Sequence, residues 1–307
     1  MQFVGCDIAT RRWVATIGSF DGVHRGHRHV VRRVVELARS RGMGALVVTF
    51  ANHPMEVLRH GVAGQMLSPG GEKVELLRQT GVDGVALLDF TPELAQMSAR
   101  DFMQRVLKEQ CHVEVLLMGY DNRFGHDGLG FADYVAQGRE LGLEVLPCDE
   151  LEGGFSSTAI RQALLEGDVE AANRLLGYEY RLEGTVVEGF QNGRKMGFPT
   201  ANLRVSPLKL VPENGVYVVR TLSSHGGMLN IGTRPTLHNG GERSIEVHVF
   251  DFDGDLYGQT LQVELLHRLR REQEFGSMEE LRAQLERDRE MCRKWMGRMK
   301  SDKLFEV

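Results

Sequence analysis

The feature that most constrains the fold is a glycine-rich turn between an apolar run and an amphipathic stretch. The apolar run, Trp13 to Ile17, is typical of a buried strand. The turn, residues 18–27, reads GSFDGVHRGH, and apolar residues at helical spacing follow it to about residue 41. A strand, a glycine-rich turn and a helix start can cradle phosphate, because free backbone N–H groups and the helix dipole favour an anion there. The pattern therefore predicts a nucleotide site.

Two histidines stand in this turn, His24 and His27. Histidines at a helix start are usually surface residues, and glycine-rich turns are common in α/β domains. Imidazole N–H groups at a phosphate cradle can, however, stabilise the charge that builds on a phosphorus centre. The second interpretation is favoured because the pair occurs together with Gly18, Phe20, Asp21, Gly22 and Gly26 in one strand–turn–helix.

Up to about residue 177, short apolar runs alternate with helical patterns. The predicted strands cover residues 14–17, 45–50, 84–88, 113–118 and 143–146, and the predicted helices lie near 26–41, 71–80, 98–110 and 130–141. Such alternation predicts an α/β domain with a doubly wound parallel sheet of the Rossmann-like type. The ligand is then expected at the carboxyl ends of the strands, where the histidine turn lies.

From residue 181 the pattern changes to short apolar runs punctuated by Gly, Pro and Asn. The predicted strands cover residues 184–187, 216–221, 228–231, 245–250 and 261–266, which is typical of an antiparallel barrel. A terminal helix follows, opened by the capping-box pair Ser277 and Glu280. Its apolar stripe is interpreted as core packing and consists of Met278, Leu281, Leu285, Cys292 and Trp295. We therefore predict two domains, residues 1–180 and 181–307.

Composition narrows the protein class. A net charge of −5 over 307 residues argues against a partner nucleic acid bound by a broad basic face. The four cysteines are far apart and form no C-x-x-C pair, which is typical of free thiols in a reducing cytoplasm. A leader pattern and an apolar run that could span a bilayer are both missing from the sequence. We expect a cytoplasmic protein without a membrane partner, and self-association is not indicated.

Three further stretches are expected at the same edge of the sheet. TFANHP (49–54) carries His53, and GYDNRFG (119–125) carries Asp121 and Arg123. FSSTAIR (155–161) opens another helix, whose first turns hold Ser157, Thr158 and Arg161. Hydroxyls and an arginine at a helix start form an anion site. Each stretch alone is an ordinary strand-end loop or helix cap, but jointly they predict a cleft with phosphate donors on two sides.

These stretches resemble the nucleotidylyltransferase signature in the longer form GxFDGxHxGH of the bacterial FAD synthetases, which are bifunctional riboflavin kinases/FMN adenylyltransferases. The family motifs F-x-x-H-P, G-x-D-x-x-F-G and I-S-S-T-x-I-R match the other three stretches. Phe155 replaces the usual Ile, and Met55 stands where Arg is common, which puts a charge role there in doubt. The resemblance implies that a phosphate oxygen of FMN attacks the α-phosphorus of ATP in line, and that pyrophosphate leaves.

The resemblance also implies roles for individual residues. His24 and His27 would stabilise the triphosphate and its transition state, and Ser157, Thr158 and Arg161 would hold the departing phosphates. The expected ATP contacts of this domain are Gly18, Phe20, Asp21, Gly22, Gly26, Asp121, Arg123, Ser157, Thr158 and Arg161. His53 is the expected flavin contact.

The second half contains no P-loop sequence, so a kinase there needs another phosphate cradle. The candidate is GTVVEGFQNGRKMGFPTANL, residues 184–203, in which three glycines would let backbone approach phosphates. Thr200 and Asn202 are two apart beside Pro199, so their oxygens should face one way and suit Mg²⁺. Pro-Thr-Ala-Asn alone would more often be a turn, but the whole stretch resembles the riboflavin kinase signature. The expected ATP contacts are Gly189, Gly193, Arg194, Gly197, Thr200 and Asn202.

The candidate base lies in IEVHVF, residues 245–250. Glu246 and His248 share one strand face, and the apolar residues share the other. A strand glutamate is usually solvated, but the pair resembles the E-x-H pattern of riboflavin kinases, which implies that Glu246 is the general base for the ribityl hydroxyl. The family loops NIGTRPT and DLYG also occur, and they imply flavin contacts from Asn230, Arg234, Asp255 and Tyr257.

Three alternating aspartates, residues 251, 253 and 255, superficially resemble a calcium loop. Position six of such a loop would be Leu256 instead of Gly, and position twelve would be Gln262 instead of Glu, so a hairpin turn at Asp253-Gly254 is the better interpretation.

Together the motifs predict an FAD synthetase that uses riboflavin, FMN and ATP with Mg²⁺. The rival hypotheses are a nucleotidylyltransferase for another phosphorylated metabolite and a non-enzymatic flavin carrier. The barrel motifs argue against the first rival, and the retained candidate catalytic residues argue against the second.

Overall fold

The computed structural model describes residues 1–54, 65–119, 122–189, 197–221, 223–233 and 243–302. These residues form two compact units, Met1–Ser157 and Thr158–Val307.

The first unit is an α/β domain built on one six-stranded sheet. Its strands are β1 (Gln2–Val4), β2 (Trp13–Ile17), β3 (Gly44–Phe50), β4 (Gly84–Leu88), β5 (Val113–Gly119) and β6 (Glu144–Cys148). Its helices are α1 (Arg25–Arg41), α2 (Gly71–Arg78), α3 (Pro92–Ala95), α4 (Ala99–Asp101, continued in π-helical form over Phe102–Gln110) and α5 (Phe131–Leu141). The sheet order is β1-β4-β3-β2-β5-β6.

The five longer strands of this sheet are parallel, and only β1 runs antiparallel, beside β4. The predicted doubly wound parallel sheet is therefore confirmed. Alternate residues of β2 are buried in different clusters: Val14 packs with Val34 of α1, whereas Ala15 packs with Phe102 of α4. Strand order reverses between β2 and β5, and this reversal is where such sheets open a crevice for ligands. The turn after β2 lies there.

The second unit is a closed antiparallel barrel with helices. Its elements are α6 (Ser157–Glu166), α7 (Val169–Leu176), β7 (Arg181–Val187), β8 (Ala201–Val205), β9 (Gly215–Thr221), β10 (Gly226–Thr233), β11 (Arg243–Val249), β12 (Thr260–Arg270) and α8 (Met278–Asp302). The strand order around the barrel is β10-β11-β8-β7-β12-β9. The predicted barrel and terminal helix are confirmed.

Helix α8 packs against β9, β10 and β12 through an apolar stripe. Cys292 is fully buried, and Leu285 and Trp295 pack on the same cluster, as the stripe predicts. Met278 is 54% exposed and does not belong to this packing. Its position in the first turn of the helix explains the difference, because that turn extends beyond the cluster.

Two strands, β1 and β8, were not predicted. Strand β8 is short, and its apolar residues alternate with the polar residues Asn202 and Arg204. Its extended conformation therefore depends on pairing with β7 and β11. The compact units divide at residue 157, where α6 begins, and Leu164 of α6 accepts a hydrogen bond from Glu213 N in the same unit (3.0 Å). The domain boundary at residues 180/181 stays a prediction.

No helix within the described ranges combines the length and apolar character that crossing a bilayer requires.

Candidate active sites

The turn after β2 has an unusual backbone. Phe20, Gly22 and Val23 have φ angles of 47°, 80° and 37°, all in the left-handed region. For a β-branched residue such as Val23 this conformation costs on the order of 1–3 kcal/mol and persists only when the surroundings impose it. The strain shows that tertiary contacts, and not local preference, shape the phosphate cradle.

Asp21 supplies much of that support. Its side chain is buried, and its two carboxylate oxygens accept the backbone N–H groups of Leu67 (3.1 Å) and Ser68 (3.0 Å). Ser68 Oγ accepts the N–H of Gly22 at 2.8 Å, and Ser157 Oγ donates to the Asp21 carbonyl at 2.8 Å. These hydrogen bonds fix the conformation of the turn at Asp21 and Gly22.

His24 and His27 stand stacked at the start of α1. Their ring centroids are 3.6 Å apart at an angle of 18°, and His24 Nδ1 accepts the backbone N–H of His27 (3.3 Å) as the helix N-cap. The edge of Phe20 packs on His27 with centroids 5.0 Å apart. A Cβ on Gly26 would lie 3.3 Å from the His24 ring, so the glycine between the histidines permits the close approach.

The His27 imidazole is neutral at physiological pH. Burial lowers its pKa well below the ordinary value, and the charges of His24 and Lys73 lower the pKa further. Its Nδ1 is shielded from solvent and has no hydrogen-bond partner in the part of the chain that the structure describes. A neutral imidazole has one N–H, and because Nδ1 is shielded we assign the proton to Nε2, from which it can be donated to a ligand.

A cavity of about 680 Å³ opens beside His27. Its walls are rich in aromatic side chains: Phe20, Phe50, Phe90, Phe102 and Phe124. Arg123, Asn122 and His126 add polar groups on the β5 side. Asn122 Nδ2 donates to the carbonyl of Ile17, which ties the two strand ends that flank the cavity. This cavity suits a planar, largely apolar ring with a phosphate directed toward the histidines.

In the barrel, a row of polar residues crosses three adjacent strands. Asn230 of β10 lies opposite Glu246 of β11, and Glu246 lies opposite Asn202 of β8. Thr200, just before β8, is 3.4 Å from Glu246 Oε2 through its Oγ1. Residues far apart in sequence thus place a carboxylate, a hydroxyl and two amides together.

His248 fixes the backbone beside Thr200. Its Nδ1 lies 2.8 Å from the Pro199 carbonyl, and its ring is flanked by Phe198 and Phe250 with centroids at 5.4 and 5.6 Å. Burial lowers the pKa of His248, so the imidazole is neutral. Because its partner is a carbonyl, we assign the proton to Nδ1.

Two cavities meet at Thr200. The larger, about 680 Å³, is lined by Val186, Phe252, Asp255 and Tyr257 among others. The smaller, about 280 Å³, contains Glu246 and Asn230 with the further polar residues Arg270, Glu272 and Gln273. Its apolar walls are formed by Phe198, Met228, Phe275, Leu281 and Leu285. The arrangement offers separate spaces for two substrates on either side of one hydroxyl.

The donor set here fits Mg²⁺. Thr200 and Asn202 present a hydroxyl and an amide oxygen, the hard ligands that this ion prefers. A Cβ on Gly189 would lie 2.1 Å from the Asn202 amide nitrogen, so the glycine backbone closes over this side chain and leaves no room for a larger residue. These contacts form a cradle suited to a phosphate-bound cation.

Comparison with known proteins covers both units. Residues 7–159 match the FAD synthetase family, and residues 176–296 match the riboflavin kinase family. The chain is 39% identical over 296 residues to the bifunctional riboflavin kinase/FMN adenylyltransferase of Escherichia coli (strain K12), covering 92% of this chain and 93% of that protein. The chain belongs to this bifunctional family.

Other members of the bifunctional family are similar over the same length. The Listeria monocytogenes protein (serovar 1/2a, strain ATCC BAA-679 / EGD-e) is 35% identical, covering 95% of this chain and 96% of that protein, and the Bacillus subtilis (strain 168) protein is 32% identical, covering 94% and 93%. A crystal structure described as a macrolide-efflux protein from Streptococcus pneumoniae superimposes with a TM-score of 0.82 and 32% identity, over 94% of this chain and 96% of that one. The two-part architecture is therefore shared along the whole chain.

The structure places most of the predicted family site residues in two groups. The turn residues, His24, His27 and Ser157 lie together, and Thr200, Asn202, Asn230 and Glu246 lie together. Thr158 and Arg161 lie in α6, within the second unit. Asp255 and Tyr257 line the larger barrel cavity and Asn230 the smaller, so these three predicted flavin contacts are not brought together. Met55, Asp121, Gly193, Arg194 and Arg234 lie outside the described residues.

Sequence reasoning missed Lys73 and the phenylalanine-lined cavity. A signal for Lys73 was present: it lies three and four residues before Leu76 and Leu77, on the buried face of α2. Lysine is rarely buried in a protein core without a partner, so a lysine on the core-facing side of a helix indicates a specific role. The phenylalanines gave no such signal, because they come from five separate segments, one of them a helix, that only folding brings together.

Proposed function

We propose that the C-terminal unit phosphorylates riboflavin to FMN with ATP, and that the N-terminal unit adenylylates FMN to FAD with release of pyrophosphate. The observation that carries the second assignment is the phenylalanine-lined cavity of about 680 Å³ beside His27. A flavin ring is large, planar and mostly apolar, and an aromatic cavity next to a phosphate cradle matches it.

The adenylyl transfer proceeds by direct displacement. A phosphate oxygen of FMN attacks the α-phosphorus of ATP, a new P–O bond forms, the bond to the β-phosphate breaks, and pyrophosphate leaves with both electrons. The backbone N–H groups of the turn and the Nε2–H of His27 donate to the phosphate oxygens as charge builds there. Positioning and charge stabilisation suffice, since no protein nucleophile is required.

The remaining ATP contacts for adenylyl transfer are assigned from the family motifs alone. Ser157, Thr158 and Arg161 stand at the start of α6, where hydroxyls and a guanidinium suit the departing phosphates. Asp121 and Arg123 follow β5 and would contact the nucleotide. His53 follows β3 and would contact the flavin.

The kinase step uses Glu246 as its base. Its carboxylate accepts the proton of the ribityl 5′-hydroxyl while that oxygen attacks the γ-phosphorus, and ADP leaves. Thr200 and Asn202 would hold Mg²⁺, which supplies charge neutralisation on the ATP phosphates when bound. Thr200 and Glu246 are already within 3.4 Å, so the base and the cation cradle adjoin.

The two barrel cavities divide the substrates in this proposal. The smaller, with Glu246 in its wall and five large apolar residues around it, suits riboflavin. The larger, with its more polar loop residues 253–257, suits the nucleotide. Contacts from Asp255 and Tyr257 to flavin remain a sequence prediction, and this division favours the nucleotide as their partner.

We also infer a cytoplasmic location. All four cysteines are free, and Cys111, Cys148 and Cys292 are buried. Burial raises the pKa of Cys111 and of Cys292 to about 12, so these thiols are protonated and unreactive. Free thiols without a disulfide are typical of a reducing compartment.

The decisive experiment is product analysis with the purified chain. Incubation with riboflavin, ATP and MgCl₂ should give FMN first and then FAD, and pyrophosphate should appear in step with FAD. The rival enzyme hypothesis predicts no phosphorylation of riboflavin, and the carrier hypothesis predicts flavin binding without ATP consumption.

Two variants test the division of labour. Glu246→Ala should lower FMN formation by about 100-fold or more, because the base is lost, and leave FMN-to-FAD conversion intact. His27→Ala should lower FAD formation by about 100-fold and leave the kinase intact, because a transition-state donor is lost. Each activity serves as the folding control for the other. Loss of both activities in either folded variant would refute the proposed division.

A further inference from the structure

A buried lysine joins α2 to the end of β3 in the N-terminal unit. Lys73 of α2 is 2% exposed, and its Nζ donates to the Phe50 carbonyl at 2.8 Å. Phe50 is the last residue of β3 and lines the N-terminal cavity. Burying an ammonium group costs several kcal/mol unless partners compensate it, whereas an apolar side chain would join α2 to β3 without that cost. A charge at this place therefore needs a reason other than packing.

The segment that leads into Lys73 also holds the phosphate cradle. Leu67 and Ser68 donate their N–H groups to the Asp21 carboxylate, and Ser68 Oγ accepts from Gly22. Residues 67–73 thus contact both the strained turn before His24 and the end of β3. Through this short segment, the turn and the cavity wall are fixed to one another.

Lys73 also acts on the histidines electrostatically. Its ammonium is one of the charges that lower the pKa of His27, and the stacked His24 is the other. The Asp21 carboxylate partly offsets the burial of Lys73, whose pKa is nevertheless lowered to about 8. These are the titratable groups that act on His27 in the described part of the chain.

We propose that Lys73 is a positioning residue for adenylyl transfer: through its bond to the Phe50 carbonyl and the segment 67–73 it fixes the carboxyl end of β3 against the histidine turn. His27 then meets ATP in a preset orientation. Burial is the main cause that lowers the pKa of His27, and the charge of Lys73 adds to it. The proposal rests on the proposed function of the N-terminal unit.

The test compares three variants of the full chain. Lys73→Met removes the charge at similar length, and Lys73→Arg keeps the charge. Lys108→Met is the matched control, since Lys108 of the same unit also donates to a backbone carbonyl, that of Gly142 at 2.8 Å, but is on the surface. Measurements are kcat and KM for FMN adenylylation against pH, the riboflavin kinase rate, and the His27 titration in the free protein by NMR of labelled histidine.

Lys73→Met should lower kcat/KM for adenylylation by about tenfold or more, mainly through kcat, and leave the kinase rate unchanged. Its His27 should titrate at a higher pH, because one positive neighbour is gone. The wild-type adenylylation rate should fall as pH rises through about 8, because Lys73 then loses its proton and its bond to the Phe50 carbonyl is no longer charge-assisted. Lys73→Arg should largely retain the rate and lack this alkaline limb, because arginine stays charged. Lys108→Met should match wild type in every measurement.

An unchanged rate and an unchanged His27 titration in folded Lys73→Met would overturn the proposal. If Lys73→Met unfolds the N-terminal unit, Lys73→Arg is the deciding variant. A fall in the adenylylation rate that disappears or moves to higher pH supports the role of Lys73. A fall at the same pH as in wild type overturns it. A wild-type chain that phosphorylates riboflavin but never adenylylates FMN would instead refute the proposed function.

Discussion

Single residues in this protein serve the chemistry in two ways, by contacting substrate and by fixing the groups that do. Glu246 and His27 line cavities, and we propose that they are of the first kind. Asp21 has the motif position expected of a ligand contact, but its carboxylate is taken up by two backbone N–H groups. Its nucleotide contact stays a prediction, whereas its support of the turn is plain from the geometry.

His248 gives a prediction at this scale. His248→Ala removes the partner of the Pro199 carbonyl and should destabilise the C-terminal unit by about 1–3 kcal/mol. We also expect a raised KM for ATP in the kinase reaction, since Thr200 follows Pro199, while FMN adenylylation is unchanged. Denaturant unfolding followed by kinase activity measures the first effect, and steady-state kinetics the second.

The same residue makes the stability of the C-terminal unit depend on pH. Burial lowers the folded-state pKa of His248, so the unfolded chain binds a proton more readily. The contribution of His248 to stability is therefore complete above the unfolded pKa of about 6.5 and decreases as pH falls below it. The difference in unfolding free energy between wild type and His248→Ala should shrink between pH 7 and pH 5. A difference that grows toward acid pH would contradict this sign.

Whole elements were largely predictable where their hydrophobic pattern was regular. Strand β4 was predicted at its observed bounds, and α1 within one residue at its start. Strand β8 was missed because only its pairing with β7 and β11 makes it a strand. The π-helical course of α4 was likewise beyond the pattern, since its apolar spacing is that of any amphipathic helix.

The junction of β12 with α8 is a second testable element. Arg270, at the end of β12, donates through Nε and Nη2 to the fully buried Asp288 of α8 (3.0 and 2.8 Å). Asp288→Ala leaves a guanidinium uncompensated in the wall of the smaller barrel cavity and should destabilise this unit by about 3–5 kcal/mol. We expect a raised KM for riboflavin, measured in the kinase assay.

The control for this element lies in the same helix. Glu286 pairs with Arg282 on an exposed face, and Glu286→Ala should change stability by less than about 1 kcal/mol. Equal losses from the two substitutions would argue against a special role of the buried pair.

At the scale of the whole molecule, each compact unit has its own apolar core. Leu116 of β5 and Leu229 of β10 are both fully buried, one in each unit. Leu116→Ala should destabilise the N-terminal unit by about 2–5 kcal/mol and lower the temperature at which adenylyltransferase activity is lost. Leu229→Ala should do the same for the kinase. Residual activity after heating measures both, and a parallel loss of the two activities in both variants would show that the units unfold together.

The sequence alone determined the fold class, the two-part organisation and the position of the glycine-rich turn between β2 and α1, because hydrophobic period and glycine position act locally. Glu246 and Thr200 were also identifiable, through motifs, although 46 residues separate them. Only the tertiary structure decided that Asp21 supports the turn, that Lys73 is buried and bonds to the end of β3, and that phenylalanines from several elements form one cavity. Burial, charge coupling and enclosed volume arise between segments distant in sequence, and only folding brings those segments together.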